Sequence, residues 1–249
     1  MNGVRILNCE FAPLTIAGTV DWARDWIKSG ERGYICTVNV AILMMMRSDP
    51  RLQRFVDRAS LVVVDGQPLV WASHLQEDRL PERVTGVDLV DQLCALAADE
   101  GFGVYFLGAR REVIETAANR LVERFPGLDV RGIADGYFDA TEAGERARAI
   151  RESGAKLLIV GMGVPRQEYF IEDQWDDLGV ELVIPVGGSF EVIAGTARRA
   201  PVFLQRIGME WSFRLAQEPR RLWKRYLVTN TQFIYHLLKS TLSSEPKAR

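Results

Sequence analysis

The residues best suited to chemistry fall at a few places where an apolar run meets a polar or glycine residue. In Val62–Gly66, VVVDG, an aspartate follows three valines and precedes a glycine. A carboxylate at the end of a buried strand is partly desolvated, which raises its pKa toward the range of a general base. Asp65 therefore reads as a base or ligand-binding group, with a helix N-cap over Gln67–Leu75 as the alternative. A second place is Gly161-Met-Gly163-Val-Pro165-Arg166-Gln167-Glu168, which joins a strand to a helix. Its glycines let backbone approach a ligand, and a helix N-terminus offers free N–H groups to phosphate. It lacks the third glycine of G-x-G-x-x-G, so it reads as a generic phosphate or diphosphate site or as a tight turn with a capped helix. The chain contains no D-x-D pair, and its histidines are His74 and His236. No metal or other cofactor is expected. Charge on a leaving group then falls to arginines, Arg83 and those of the C-terminus, and to helix N-termini.

These groups need a frame. Tyr34–Val38, Leu61–Val64, Val104–Leu107, Leu157–Val160 and Leu182–Val186 are short apolar runs rich in β-formers and read as buried strands. Helical patterns lie between them at Val87–Asp99, Glu112–Phe125, Glu142–Ser153 and Gln167–Leu178. The alternation predicts an α/β, Rossmann-like fold: a mostly parallel sheet with helices on both faces, and a ligand beyond the carboxyl ends of the strands. The strand ends are Thr37 and Asn39, Asp65 and Gly66, Gly108, Gly161–Gln167 and Gly187–Glu191. Each alone could be a turn or a cap; together they predict a crevice.

Composition bounds the rest. A length of 249 residues, 47% hydrophobic and 26% charged, suits a globular chain with a substantial core. Cys9, Cys36 and Cys94 are too scattered for a disulfide framework or a zinc site and fit a reducing compartment. No signal peptide is read, and no apolar run approaches the roughly 20 residues of a membrane span. The net charge is -2, but between Thr196 and Ser240 nine basic residues face only Glu210 and Glu218. Leu222, Trp223, Tyr226, Leu227, Phe233, Ile234, Leu237 and Leu238 recur there at helical spacing. The division expected is a Rossmann-like domain over 1–195 and a helical, basic appendage over 196–249, with Pro219 in the first turn of its last helix and a disordered tail, Ser243–Arg249. That helix could pack on the domain, form a homo-oligomer contact or lie in a membrane interface, which its aromatics and basic residues suit. Nucleic acid is the lesser reading of the basic patch, since no recognition motif accompanies it.

These segments together resemble the WecG/TagA/CpsF glycosyltransferases of bacterial surface-polysaccharide synthesis. The matching stretches are VVVDGQPLVW, RVTGVDL, VYFLGA, DGYF, VGMGVPRQE, PVGGSFEVIAG, RRAP, GMEWSFRLAQEP and RRLWKRY. The resemblance implies inverting, metal-independent transfer of a hexose or N-acetylhexosamine from a UDP-sugar to an undecaprenyl-diphosphate-linked sugar. The place would be the cytoplasmic face of the plasma membrane, with the enzyme peripheral. It implies Asp65 as general base and an acceptor pocket with Thr37, Asn39 and Arg83. It implies a donor side with Gly108, Tyr137, Gly163, Gln167, Gly187 and Glu191. Arg214, Arg221, Lys224 and Arg225 would meet the diphosphate or the lipid head. Members often carry F-D where this chain has Phe190-Glu191. The D-G-x-P-L-V-W and P-E-R-V-T-G phrasing is similar to exopolysaccharide-type members, so UDP-glucose stands beside UDP-N-acetylmannosamine as the implied donor. From the residues alone, a nucleotide-dependent oxidoreductase and a non-catalytic nucleotide- or lipid-binding module also remain open.

Overall fold

A computed structural model describes residues 3–75, 79–217 and 219–243; the side chains of 206, 221, 222, 225, 226 and 241–243 are outside the description. The chain starts with a hairpin, β1 (Val4–Ile6) and β2 (Cys9–Phe11), then α1 (Ile16–Ser29), β3 (Gly33–Val38), α2 (Val40–Ser48), α3 (Pro50–Asp57) and β4 (Leu61–Val64). It continues through α4 (Gln67–Ser73), α5 (Gly86–Glu100), β5 (Val104–Gly108), α6 (Arg111–Arg124) and β6 (Val130–Ala134). A 3₁₀ turn (Ala140–Glu142) leads to α7 (Ala143–Glu152), β7 (Leu157–Gly161), α8 (Arg166–Asp173), α9 (Trp175–Leu178), β8 (Leu182–Pro185) and α10 (Ser189–Ile193). The C-terminal elements are α11 (Val202–Arg206), α12 (Glu210–Gln217) and α13 (Pro219–Ser243).

The main sheet has the order β4-β3-β8-β7-β5-β6, and every neighbouring pair is parallel. Its residues alternate between two cores, as a doubly covered sheet requires. Tyr34, Cys36, Val38, Leu107, Leu158, Val160 and Val183 pack with α2, α3, α4, α7 and α8. Ile35, Val63, Phe106, Ile159, Leu182 and Ile184 pack with α1, α5, α6 and α10. The chain leaves β5 toward the second face and β7 toward the first, and the same reversal separates β8 from β3. A ligand crevice is expected at each reversal, beyond the carboxyl ends of the strands.

All five expected strands are present, and three more exist. β6 is a half-buried edge strand, VRGIA, whose Arg131 and Gly132 break the apolar run that reveals the others. β1 and β2 are three residues each and alternate buried with exposed, too short to stand out. The helix expected over Gln167–Leu178 is two helices, broken at Gln174. Pro165 lies one residue before α8, and the Val164–Pro165 peptide is cis. The three cysteines are buried and free, and burial pushes each thiol up, where it is inert as a nucleophile.

In the C-terminal region, α13 starts at Pro219 and packs on α2 and α12, with buried Phe233 and half-buried Leu237 joining the first core. Trp223, Leu227, Ile234, Tyr235 and Leu238 face outward. The last six residues of the tail, 244–249, lie outside the described residues. Among the described residues no helix is long and apolar enough to cross a membrane.

Candidate active site

Asp65 ends the β4 run. Its N–H continues the ladder by donating to the Val38 carbonyl at 2.9 Å, which sets it beside Asn39 across the strand pair. The cap of α4 is Gly66 and carries no side-chain hydrogen bond, so the helix-cap alternative for Asp65 is removed. Asp65 is half-buried, and its pKa rises to about 6. Burial is the largest cause; Arg214 and Arg83 pull the value down, while Glu210 and Asp88 push it up.

Thr37 is buried and donates from Oγ1 to the Pro185 carbonyl at 3.5 Å, across the β3–β8 reversal. Asn39 caps α2: its Oδ1 accepts from the Ile42 N–H at 3.1 Å, leaving the Nδ2 end facing away from the helix. Arg83 lies next to Asp65 because Val84 N–H donates to the Val64 carbonyl at 2.7 Å. It is tied up, however. One arm donates to Glu210 at 2.8 Å and the other to Gln205 at 2.6 Å. Arg199 makes a fork to Asp88, both contacts at 2.6 Å. Two cation–carboxylate links thus dock the segment from Arg199 to Gln217 over the Asp65 end of the sheet. The pairing of Glu210, Gln205, Arg199 and Asp88 has no signal in the sequence, since spacing along the chain does not show which charges meet. A cavity of about 510 Å³ lies on this side, lined by Gln67, Glu82, Arg83, Asp88, Asp91 and Gln92.

Two to four strands away from Asp65, at the ends of β8, β7 and β5, the glycine turns converge. Gly108 and Gly161 are so close that a Cβ on Gly108 would lie 2.3 Å from the Gly161 carbonyl oxygen. Ala109 N–H donates to that carbonyl at 2.9 Å, and Gly136 N–H donates to the Ala109 carbonyl at 2.9 Å. Gly163 and Gly187 adopt φ of +80° and +56°, and nothing lies within 4 Å of where their side chains would be, so both turns offer bare backbone to the crevice. Gln167 does not point into it. Its side chain is 2% exposed, and Oε1 accepts from Gly163 N–H at 3.2 Å and Gly187 N–H at 3.0 Å. It braces the Gly163 and Gly187 turns from beneath. Glu191 sits beside the same turn, with Oε2 buried and unpartnered among the described residues. Tyr137, on the β6 side, is 65% exposed, with the Arg110 guanidinium 5.7 Å from its ring centroid.

Arg214 is half-buried on α12 and acts on Asp65 more strongly than any other charge. Lys224 is exposed on α13. The side chains of Arg221 and Arg225 lie outside the described residues. Among the described residues no group of three or more His, Cys, Asp or Glu side chains could hold a metal ion.

Asp65, the Gly163 and Gly187 turns, and Arg83 and Arg214 thus lie at the carboxyl-end side of one doubly wound sheet. The profile of the glycosyl transferase WecG/TagA/CpsF family matches residues 4–247. The chain belongs to that family and is a glycosyltransferase. Similar proteins include N-acetylglucosaminyldiphosphoundecaprenol N-acetyl-beta-D-mannosaminyltransferases of three bacteria. The Bacillus spizizenii protein is 32% identical, over 81% of this chain and 77% of its own length. The Bacillus subtilis protein is 30% identical over 89% and 86%, and that of Staphylococcus aureus 29% identical over 95% and 92%. Membership sets aside the oxidoreductase and the non-catalytic module.

Proposed function

We propose that the protein transfers a hexose or N-acetylhexosamine from a UDP-sugar to a polyprenyl-diphosphate-linked sugar, with inversion and without a metal. Asp65 takes the proton from an acceptor hydroxyl, and that oxygen attacks the anomeric carbon from the face opposite the UDP leaving group. The observation that carries this reading is Asp65 itself: a carboxylate at a strand end, raised to about 6, ringed by Arg83 and Arg214. The names of the three relatives support N-acetylglucosamine on diphosphoundecaprenol as acceptor and N-acetylmannosamine as donor sugar. UDP-glucose stands as the second donor on the exopolysaccharide-type phrasing of the chain.

The sheet gives the donor a direction. Gly187 lies two strands from Asp65, about 10 Å at ordinary strand spacing. The diphosphate sits on the Gly163 and Gly187 turns, the base stacks toward Tyr137, and the sugar reaches back toward Asp65. Glu191, whose Oε2 has no partner among the described residues, accepts from a donor hydroxyl. Thr37, Asn39 and the polar cavity at Arg83 receive the acceptor. Arg214, with Arg221, Lys224 and Arg225, neutralises diphosphate charge, a task that the absence of D-x-D leaves to cations of the chain.

The enzyme works at the cytoplasmic membrane face as a peripheral protein. Val202, Phe203 and Ile207 of α11 and the segment after it stand exposed, and Gly208 lies against Trp71. Trp223, Leu227, Ile234, Tyr235 and Leu238 of α13 are exposed apolar side chains in a helix that also carries basic residues. Transfer assays with UDP-glucose and UDP-N-acetylmannosamine on a synthetic prenyl-diphosphate N-acetylglucosamine, in EDTA, test the reading. Product with either donor supports it; turnover only on addition of a divalent ion removes the metal-independent step.

A further inference from the structure

We propose that Glu168 is a positioning residue that fixes the carboxamide of Gln167 in the one orientation able to brace both glycine turns. The importance of those turns for catalysis rests on reading them as the donor diphosphate site; the bracing itself does not. Glu168 is 4% exposed at the start of α8, and its Oε1 accepts from Gln167 Nε2 at 2.8 Å. On the other side, Gln167 Oε1 accepts from the amides of Gly163 and Gly187, which follow neighbouring strands.

A carboxamide has nearly the same shape after a half-turn, but its two ends have opposite hydrogen-bonding character. Flipped, Gln167 would aim its N–H₂ at two backbone N–H groups and its oxygen at the Glu168 oxygen. All three contacts would turn repulsive. In this buried site an acceptor at position 168 gives the Nε2 end its partner and adds to the two glycine contacts in holding the working orientation. Burial raises the Glu168 pKa to about 7, yet a neutral carboxyl still accepts through its carbonyl oxygen, so the brace does not depend on ionisation. Oε2 is buried and unpartnered among the described residues, as expected of a group held for its other oxygen. If Glu168 merely filled space under the sheet, an apolar side chain of similar size would serve as well and no acceptor would be required.

The test compares Glu168→Leu and Glu168→Gln in the full chain by three readouts: amide hydrogen exchange at Gly163 and Gly187, UDP affinity by calorimetry, and KM against kcat. Glu168→Leu is expected to speed exchange at both glycines and to weaken UDP binding about tenfold, the scale of one lost buried hydrogen bond. The loss should fall on donor KM, with kcat little changed, and Glu168→Gln should restore all three. Unchanged exchange at both glycines in Glu168→Leu, or an equal defect in Glu168→Gln, overturns the proposal. Faster exchange with unaltered UDP affinity upholds the brace and sinks the donor-site reading instead. If Glu168→Leu does not fold, the wild-type side-chain amide of Gln167 decides: slow exchange supports its bond to Glu168, and solvent-rate exchange contradicts it.

Discussion

Arg83 donates to Glu210 at 2.8 Å, so the loop beside Asp65 and α12 share an ion pair next to the carboxylate proposed as the base. Both charges act on Asp65, with opposite signs. Arg214→Gln removes the strongest stabiliser of the carboxylate and should move the acid limb of the pH–rate profile upward. Glu210→Gln removes a repelling charge and should move it downward. In the wild type, kcat/KM should fall about tenfold per pH unit below pH ~6, as a base in the free enzyme requires. Limbs that stay fixed in both variants would separate Asp65 from the pH dependence.

The raised pKa also has a cost in stability. At low pH Asp65 is neutral in both the folded and the unfolded chain, and no penalty arises. As pH rises through the window from about 4 to about 6, the unfolded carboxyl ionises first, and stability is lost. Above pH 6 the folded state holds a poorly solvated charge. Asp65→Asn should therefore raise the thermal midpoint at pH 7.5, by about 1–3 kcal/mol in stability, and have little effect at pH 4. Thermal unfolding at both pH values measures it.

The bidentate Arg199–Asp88 contact is the second anchor of the C-terminal unit. Arg199→Ala should speed hydrogen exchange across α11 and α12 and expose the segment after Ala194 to protease, while the sheet stays protected. A double-mutant cycle with Asp88→Ala should give a coupling of about 1 kcal/mol, as for a partly exposed pair with good geometry. Independent effects of the two changes would remove the anchor.

Phe203 is 63% exposed at the tip of α11. Phe203→Glu should reduce sedimentation with anionic liposomes by about tenfold, since it removes one buried aromatic and adds a repelled charge. UDP affinity should not change. Equal sedimentation of both proteins would place the membrane contact elsewhere.

The sheet is readable in the sequence because five of its strands appear as short apolar runs. LLIVG lies in the middle and is buried throughout, and LVVV, although at one edge, is covered where Ala12 N–H donates to the Val62 carbonyl at 2.8 Å. The edge strand β6 hides for the opposite reason: solvent on one side admits Arg131 into it. Asp65 is readable from position alone. The direction of a side chain is not. Gln167 looks like a ligand group in the sequence, yet it faces inward between two turns, and only the packing of β7 against β8 shows this. Arg83 likewise looks free until α12 brings Glu210 to it.

The most direct test of Asp65 as the base is transfer by wild type and Asp65→Asn, with UDP affinity and the anomeric configuration of the product determined in parallel. The wild type should give an inverted linkage. Asp65→Asn should lose roughly 10²–10⁴-fold in turnover, with UDP bound as before. Near-normal transfer by Asp65→Asn, or retention of configuration, would contradict the assignment.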